Sequence, residues 1–117
     1  MALEITDDEF DDLVAEALDR IPESFWDKVE NVVVLVEPTP PPDEPDLLGY
    51  YDGIPLSERD SGYAGVLPDR VVLFRQPLIE MSQDRDDLAA EIAITVIHEI
   101  GHFFGFDDDE LDRFGWA

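Results

Sequence analysis

Apolar residues recur at helical spacing in two long segments of this chain and form compact runs in two others. Phe10, Leu13, Val14, Ala17 and Leu18 fall at i, i+3, i+4, i+7 and i+8, the single stripe of an amphipathic helix. Thr6-Asp7-Asp8-Glu9 ahead of it reads as a capping box, with Thr6 as N-cap and Glu9 reaching back from N3, and Ile21-Pro22 ends the segment. Pro22 suits the first turn of a second, short helix over about 22–30, which would bury Phe25, Trp26 and Val29. Val32-Val33-Val34-Leu35-Val36 is a continuous, largely β-branched run and predicts a central strand covered on both faces.

The stretch 38–45 holds five prolines and cannot continue a ladder, so it is expected to be a stiff surface loop rather than a proline-rich ligand. Residues 47–52 are expected to form a second strand before Gly53. Residues 54–65 look irregular, with a short edge piece at 63–66. Val71-Val72-Leu73-Phe74 is a clear strand that Pro77 stops soon after. The second helical segment spans about 85–104, with Asp84, Asp86 and Asp87 at the end where the helix dipole favours negative charge. Gly105 is its natural C′ residue, free to take left-handed backbone angles, and 107–114 offers one or two further turns. No internal repeat or domain boundary is visible, so residues 1–117 are expected to form one compact domain.

Charge narrows the partners. Thirty Asp and Glu face seven Lys and Arg, a formal net of −23, and Lys28 is the only lysine. Such a surface repels phosphate backbones and anionic lipid headgroups, so no nucleic acid and no membrane is expected as a partner. A heavily solvated surface is the preferred explanation; a basic partner or an acidic decoy for nucleic-acid-binding proteins is the alternative. The absence of cysteine excludes disulfides, thiolate metal sites and cysteine nucleophiles. The start lacks the basic and apolar regions of a signal peptide, and no apolar run reaches membrane-spanning length. A cytoplasmic protein, monomeric by default, is expected.

The candidate chemistry lies on the last helix. On a helical wheel with His98 at the origin, Glu91 falls at roughly 20°, His102 at roughly 40° and Thr95 at roughly 60°, so the four share one narrow stripe. Almost every other position is apolar, which marks a buried helix, and a polar stripe on such a helix needs partners. Histidines at i and i+4 project from successive turns of one side, so His98 and His102 can converge on one ion. Glu99 sits beside that face, offset from the ligands but near enough to hydrogen-bond a water on the ion. Both histidines of the chain lie in this His-Glu-x-x-His motif.

A catalytic zinc needs a third protein ligand and leaves its fourth position to water. Gly105 allows a sharp exit from the helix, and Asp108 stands where the extended motif His-Glu-x-x-His-x-x-Gly-x-x-Asp places that ligand. Asp107, Asp109 and Glu110 are local rivals for the role. Two histidines and a carboxylate can also hold Fe(II).

These residues resemble the minimal zincin-like metallopeptidase family, short bacterial proteins with that motif near the C-terminus. The similarity is clearest from Val71 to Leu111. The resemblance implies a zincin-like α+β fold in which a small mixed sheet packs on a C-terminal active-site helix. It also implies one zinc ion held by His98, His102 and Asp108, with Glu99 as general base; it does not supply a substrate, and the expected one for such a peptidase is a peptide or small protein. Larger zincins carry a methionine turn and a lower subdomain, whereas here only a short tail follows His102, and it holds no Met, Tyr or His. Tyr50, Tyr51, Tyr63 and Arg113 are the candidates for stabilising a developing oxyanion, Glu91 and Thr95 those for orienting ligands. In zincins an extended peptide commonly lies along the sheet edge next to the metal; the strand at 71–75 is read either as part of that neighbouring sheet or simply as core. The alternative to a peptidase is a metal-binding structural or interaction protein on the same fold.

Overall fold

The computed structural model describes residues 3–27, 29, 32–53, 69–103, 105 and 109, with backbone only for 102 and 103. The expected edge piece at 63–66 and most of the expected turns at 107–114 lie outside the described residues. Helix α1 spans Asp7–Arg20 and opens with the expected capping box. The Glu9 N–H donates to Thr6 Oγ1 at 3.1 Å and the Thr6 N–H donates to Glu9 Oε1 at 3.0 Å. Phe10, Leu13, Val14 and Ala17 are its buried residues, so the stripe read from spacing is the face that packs.

The second helix is shorter than its expected span. Helix α2 covers only Glu23–Trp26, with Pro22 as N-cap and Phe25 fully buried. Strands β1 (Val32–Glu37), β2 (Gly49–Asp52) and β3 (Asp69–Phe74) form one mixed sheet in the order β1-β3-β2. β1 runs parallel to β3, with Val34 opposite Val71, and β2 runs antiparallel to it, with Gly49 opposite Leu73.

This order corrects the reading of residues 32–36 as a central strand. The centre belongs to β3, whose Val71, Val72, Leu73 and Phe74 are all buried. Among the described residues β1 pairs on one side only, and its burial alternates, leaving Val33 39% and Leu35 42% exposed. A continuous apolar run does not distinguish a doubly covered strand from a lateral one with apolar residues on its outer face.

Pro77 does not merely end a strand. It sits in the first turn of helix α3, Arg75–Met81, where a missing N–H costs no hydrogen bond. Helix α4, Arg85–Phe103, follows almost at once. Asp84 caps it, accepting at 2.8 Å from the Asp87 N–H, while Asp87 accepts at 2.9 Å from the Gln83 N–H. Gly105 has φ 77°, the left-handed angle expected of a residue that closes a helix.

Helix α4 packs against α1, α3, β2 and β3, and it supplies Leu88, Ala89, Ile92, Ala93, Val96, Ile97 and Ile100 to the core. The architecture is α+β, a small mixed sheet laid on a long late helix, as the sequence implies. No helix among the described residues is long and apolar enough to cross a membrane.

Two features of this packing predict measurable effects. At Gly49 an added Cβ would lie 2.8 Å from the Val72 carbonyl oxygen and 3.1 Å from Thr95 Cγ2. Backbone cannot yield there as a side chain would, so Gly49→Ala should destabilise the protein by about 1–3 kcal/mol in urea denaturation. Glu9 is held at a pKa of about 2, against 4.5 for a free carboxyl, chiefly by the Thr6 backbone hydrogen bond and then by Arg85. Because its folded pKa is lowered, its contribution is present above about 4.5 and lost as pH falls toward about 2. Glu9→Gln, which removes the titrating carboxylate, should therefore flatten that part of the stability–pH curve, measured by urea denaturation at a series of pH values.

Candidate functional site

On α4 the buried positions leave a single stripe that is not closed over. Ala90, Glu91, Ile94, His98 and Glu99 are half-buried and recur at helical spacing, and Thr95, only 8% exposed, lies among them. Everything else from Leu88 to Gly101 is buried. The helix thus has one outlook, and the start of β2 faces it. Gly49 approaches so closely that Thr95 Cγ2 would touch a side chain there. The absence of one brings strand and helix together one turn before His98.

Between them lies a cavity of ≈ 200 Å³. Leu47, Leu48 and Gly49 line it from the strand side, and Glu91, Ile94, Thr95, His98 and Glu99 from the helix. His98 and Glu99 therefore border one space. Thr95 settles its hydroxyl locally, donating to the Glu91 carbonyl at 2.8 Å, so it is not held in reserve for a ligand. Larger cavities occur elsewhere, one of ≈ 520 Å³ between α1 and the start of α4 and one of ≈ 320 Å³ under the proline loop. Neither contains a histidine, so size alone does not find the chemistry.

His102 follows His98 by one turn within the unbroken helix, which is the backbone spacing that two imidazoles need to share an ion. Its side chain, and Asp107, Asp108 and Glu110, lie outside the described residues; Asp109 is described and exposed. Among the described residues no three His, Asp or Glu side chains gather closely enough to hold a metal. What fits an ion here is the donor chemistry of the helix: a half-buried imidazole, a second histidine a turn away, and a carboxylate beside them.

The proposed oxyanion stabilisers divide. Tyr51 donates its hydroxyl to Asp69 Oδ2 at 2.6 Å, and Asp69 is itself only 3% exposed, so this phenol is committed to the sheet interior. Tyr50 points to the opposite face of β2 and stacks on Phe74 with ring centroids 5.8 Å apart. Neither lines the cavity. Tyr63 and Arg113 lie outside the described residues.

Of the two readings of 71–75, a strand beside a bound peptide or core, the structure favours core. β3 is hydrogen-bonded on both sides, by β1 and β2, and offers no edge to an extended chain. β2 is the strand that adjoins the cavity, and among the described residues it pairs on one side only. Sequence patterning assigns 47–52 to a strand without revealing that Leu47-Leu48-Gly49 walls the site; the glycine after two leucines is the available signal.

Comparison with known proteins agrees with this arrangement. A family model described as zincin-like metallopeptidase matches residues 29–116. A solved structure, a conserved hypothetical protein from Thermus thermophilus, is 27% identical with a TM-score of 0.56. That similarity covers 86% of this chain and 94% of the other. No curated protein matches. Because the family match runs from before β1 through α4 and beyond, this chain belongs to the zincin-like metallopeptidases.

Proposed function

We propose that this protein is a zinc-dependent peptidase in which His98, His102 and Asp108 hold one zinc ion and Glu99 is the general base. The observation that carries the reading is the shared cavity: His98 and Glu99 face one space on a helix otherwise closed by packing. When bound, zinc supplies Lewis acidity, polarising a carbonyl and lowering the pKa of water.

The remaining work falls to the chain's own groups. His98 presents an imidazole from a helix whose other faces are fixed in the core, so little ordering entropy is lost on binding. Glu99 accepts a proton from the attacking water at its carboxylate and returns it to the departing amine. Leu47 and Leu48 exclude solvent from the strand side. The outer edge of β2 supports an extended peptide by main-chain hydrogen bonds, in the manner of an added strand. A peptide or small protein is the proposed substrate; nucleic acid and membranes are not proposed partners, given the net charge of −23.

Glu99→Gln keeps the shape of the side chain and removes the base. It should lower the rate of peptide hydrolysis by roughly 10²–10⁴-fold while leaving metal content at the wild-type level. Peptide cleavage by zinc-loaded protein, measured beside metal analysis of both variants, checks this. If no peptide is cleaved by either form and both hold zinc, the protein is a metal-binding structural or interaction protein on a zincin fold.

A further inference from the structure

Among the described residues, Glu91 is the polar group of the cavity that hydrolysis leaves without a task. Thr95 bonds to its own helix, and His98 and Glu99 belong to the proposed reaction. Glu91 is half-buried, lines the same space, and its side chain makes no hydrogen bond or ion pair with a described residue. Seven residues separate it from His98, two turns or roughly 10 Å along the axis, too far to steady that imidazole directly. It closes the far end of the wall instead.

The space between is aliphatic. Ile94 lines it from α4, Leu47 and Leu48 from the approach to β2. Its ≈ 200 Å³ is below the range of whole-ligand pockets and suits a single side chain. A carboxylate with no counter-ion among the described residues, at the end of an apolar slot, complements a group with an aliphatic stem and a cationic head. We propose that Glu91 is a specificity-determining residue that selects peptides carrying arginine or lysine beside the bond addressed by Glu99. The stem lies against Leu48 and Ile94, and the head meets the Glu91 carboxylate. The position of the bond rests on the peptidase reading; the slot and its charge do not. The net charge of −23 acts in the same direction, drawing cationic peptides toward the protein from any side, whereas Glu91 confers position.

The test uses the full-length, zinc-supplied protein and short peptides capped at both ends, identical except for one residue, arginine or its uncharged isostere citrulline. Wild type is read by kcat/KM, and Glu99→Gln, which binds without cleaving, by Kd from calorimetry. Arginine should be preferred roughly tenfold in both, and Glu91→Gln in either background should reduce the ratio to within about twofold. Asp19→Asn, which removes one charge from an exposed position of α1, should leave the ratio intact, and melting curves verify that each variant folds. A preference that survives Glu91→Gln, that falls equally in Asp19→Asn, or that is missing from wild type overturns the proposal. So does a preference seen only with uncapped peptides, since the slot would then take an amino terminus. Charge-dependent binding without cleavage would sink the peptidase reading and leave the slot standing; cleavage without charge preference would do the reverse.

Discussion

The burial of α4 is the constraint from which the site follows. Leu88, Ile92, Ile97 and Ile100 are fully buried, each worth about 1.5–3 kcal/mol of transfer free energy, and they anchor the helix against α1 and the sheet. A helix held on so many sides cannot rotate without exposing one of these residues. Its remaining stripe therefore has a fixed direction, and that direction is the cavity beside Leu47, Leu48 and Gly49. The stiffness that a metal centre or a catalytic base needs comes from packing elsewhere on the same element.

Electrostatics are arranged around a large excess of negative charge. Arg20 bridges Glu16 and Asp86, joining α1 to the start of α4, and Arg85 of α4 meets Glu9 of α1. Arg75 of α3 reaches Asp7 at 3.3 Å, and Arg70 pairs with Asp52 across the β2–β3 ladder. Exposed pairs of this kind contribute about 0–1 kcal/mol each. Their placement matters more than their strength, because the described arginines stand where elements meet and like charges would otherwise repel. The same acidity limits the partners the surface will attract and leaves the carboxylate of Glu91 as a local feature within a general field.

What can be read from the sequence follows the reach of local rules. The Thr6 capping box, the stripe of α1, the extent of α4 and the left-handed Gly105 depend on residues within a turn or two of each other, and all appear in the structure. The α+β class and the family follow from the His98-to-Asp108 pattern. Helix α3 escapes a reading by pattern because Pro77 is equally at home ending a strand and sitting in a first helical turn. The hydrophobic run of 32–36 suggests the centre of the sheet, which β3 in fact holds, because strand order is a non-local property that such runs do not encode. The cavity wall at Leu47–Gly49 is invisible for the same reason: it exists only because β2 lies against a helix that comes much later in the chain.

The proposed zinc site requires α4 to present two imidazoles, one turn apart, to a single cation. Zinc per chain in freshly isolated protein, measured by mass spectrometry for wild type beside His98→Ala, tests it most directly. One equivalent is expected in wild type, little in the variant, and a zinc-dependent rise in melting temperature in wild type alone. Wild-type protein that carries no metal and gains no thermal stability from any divalent cation would contradict it.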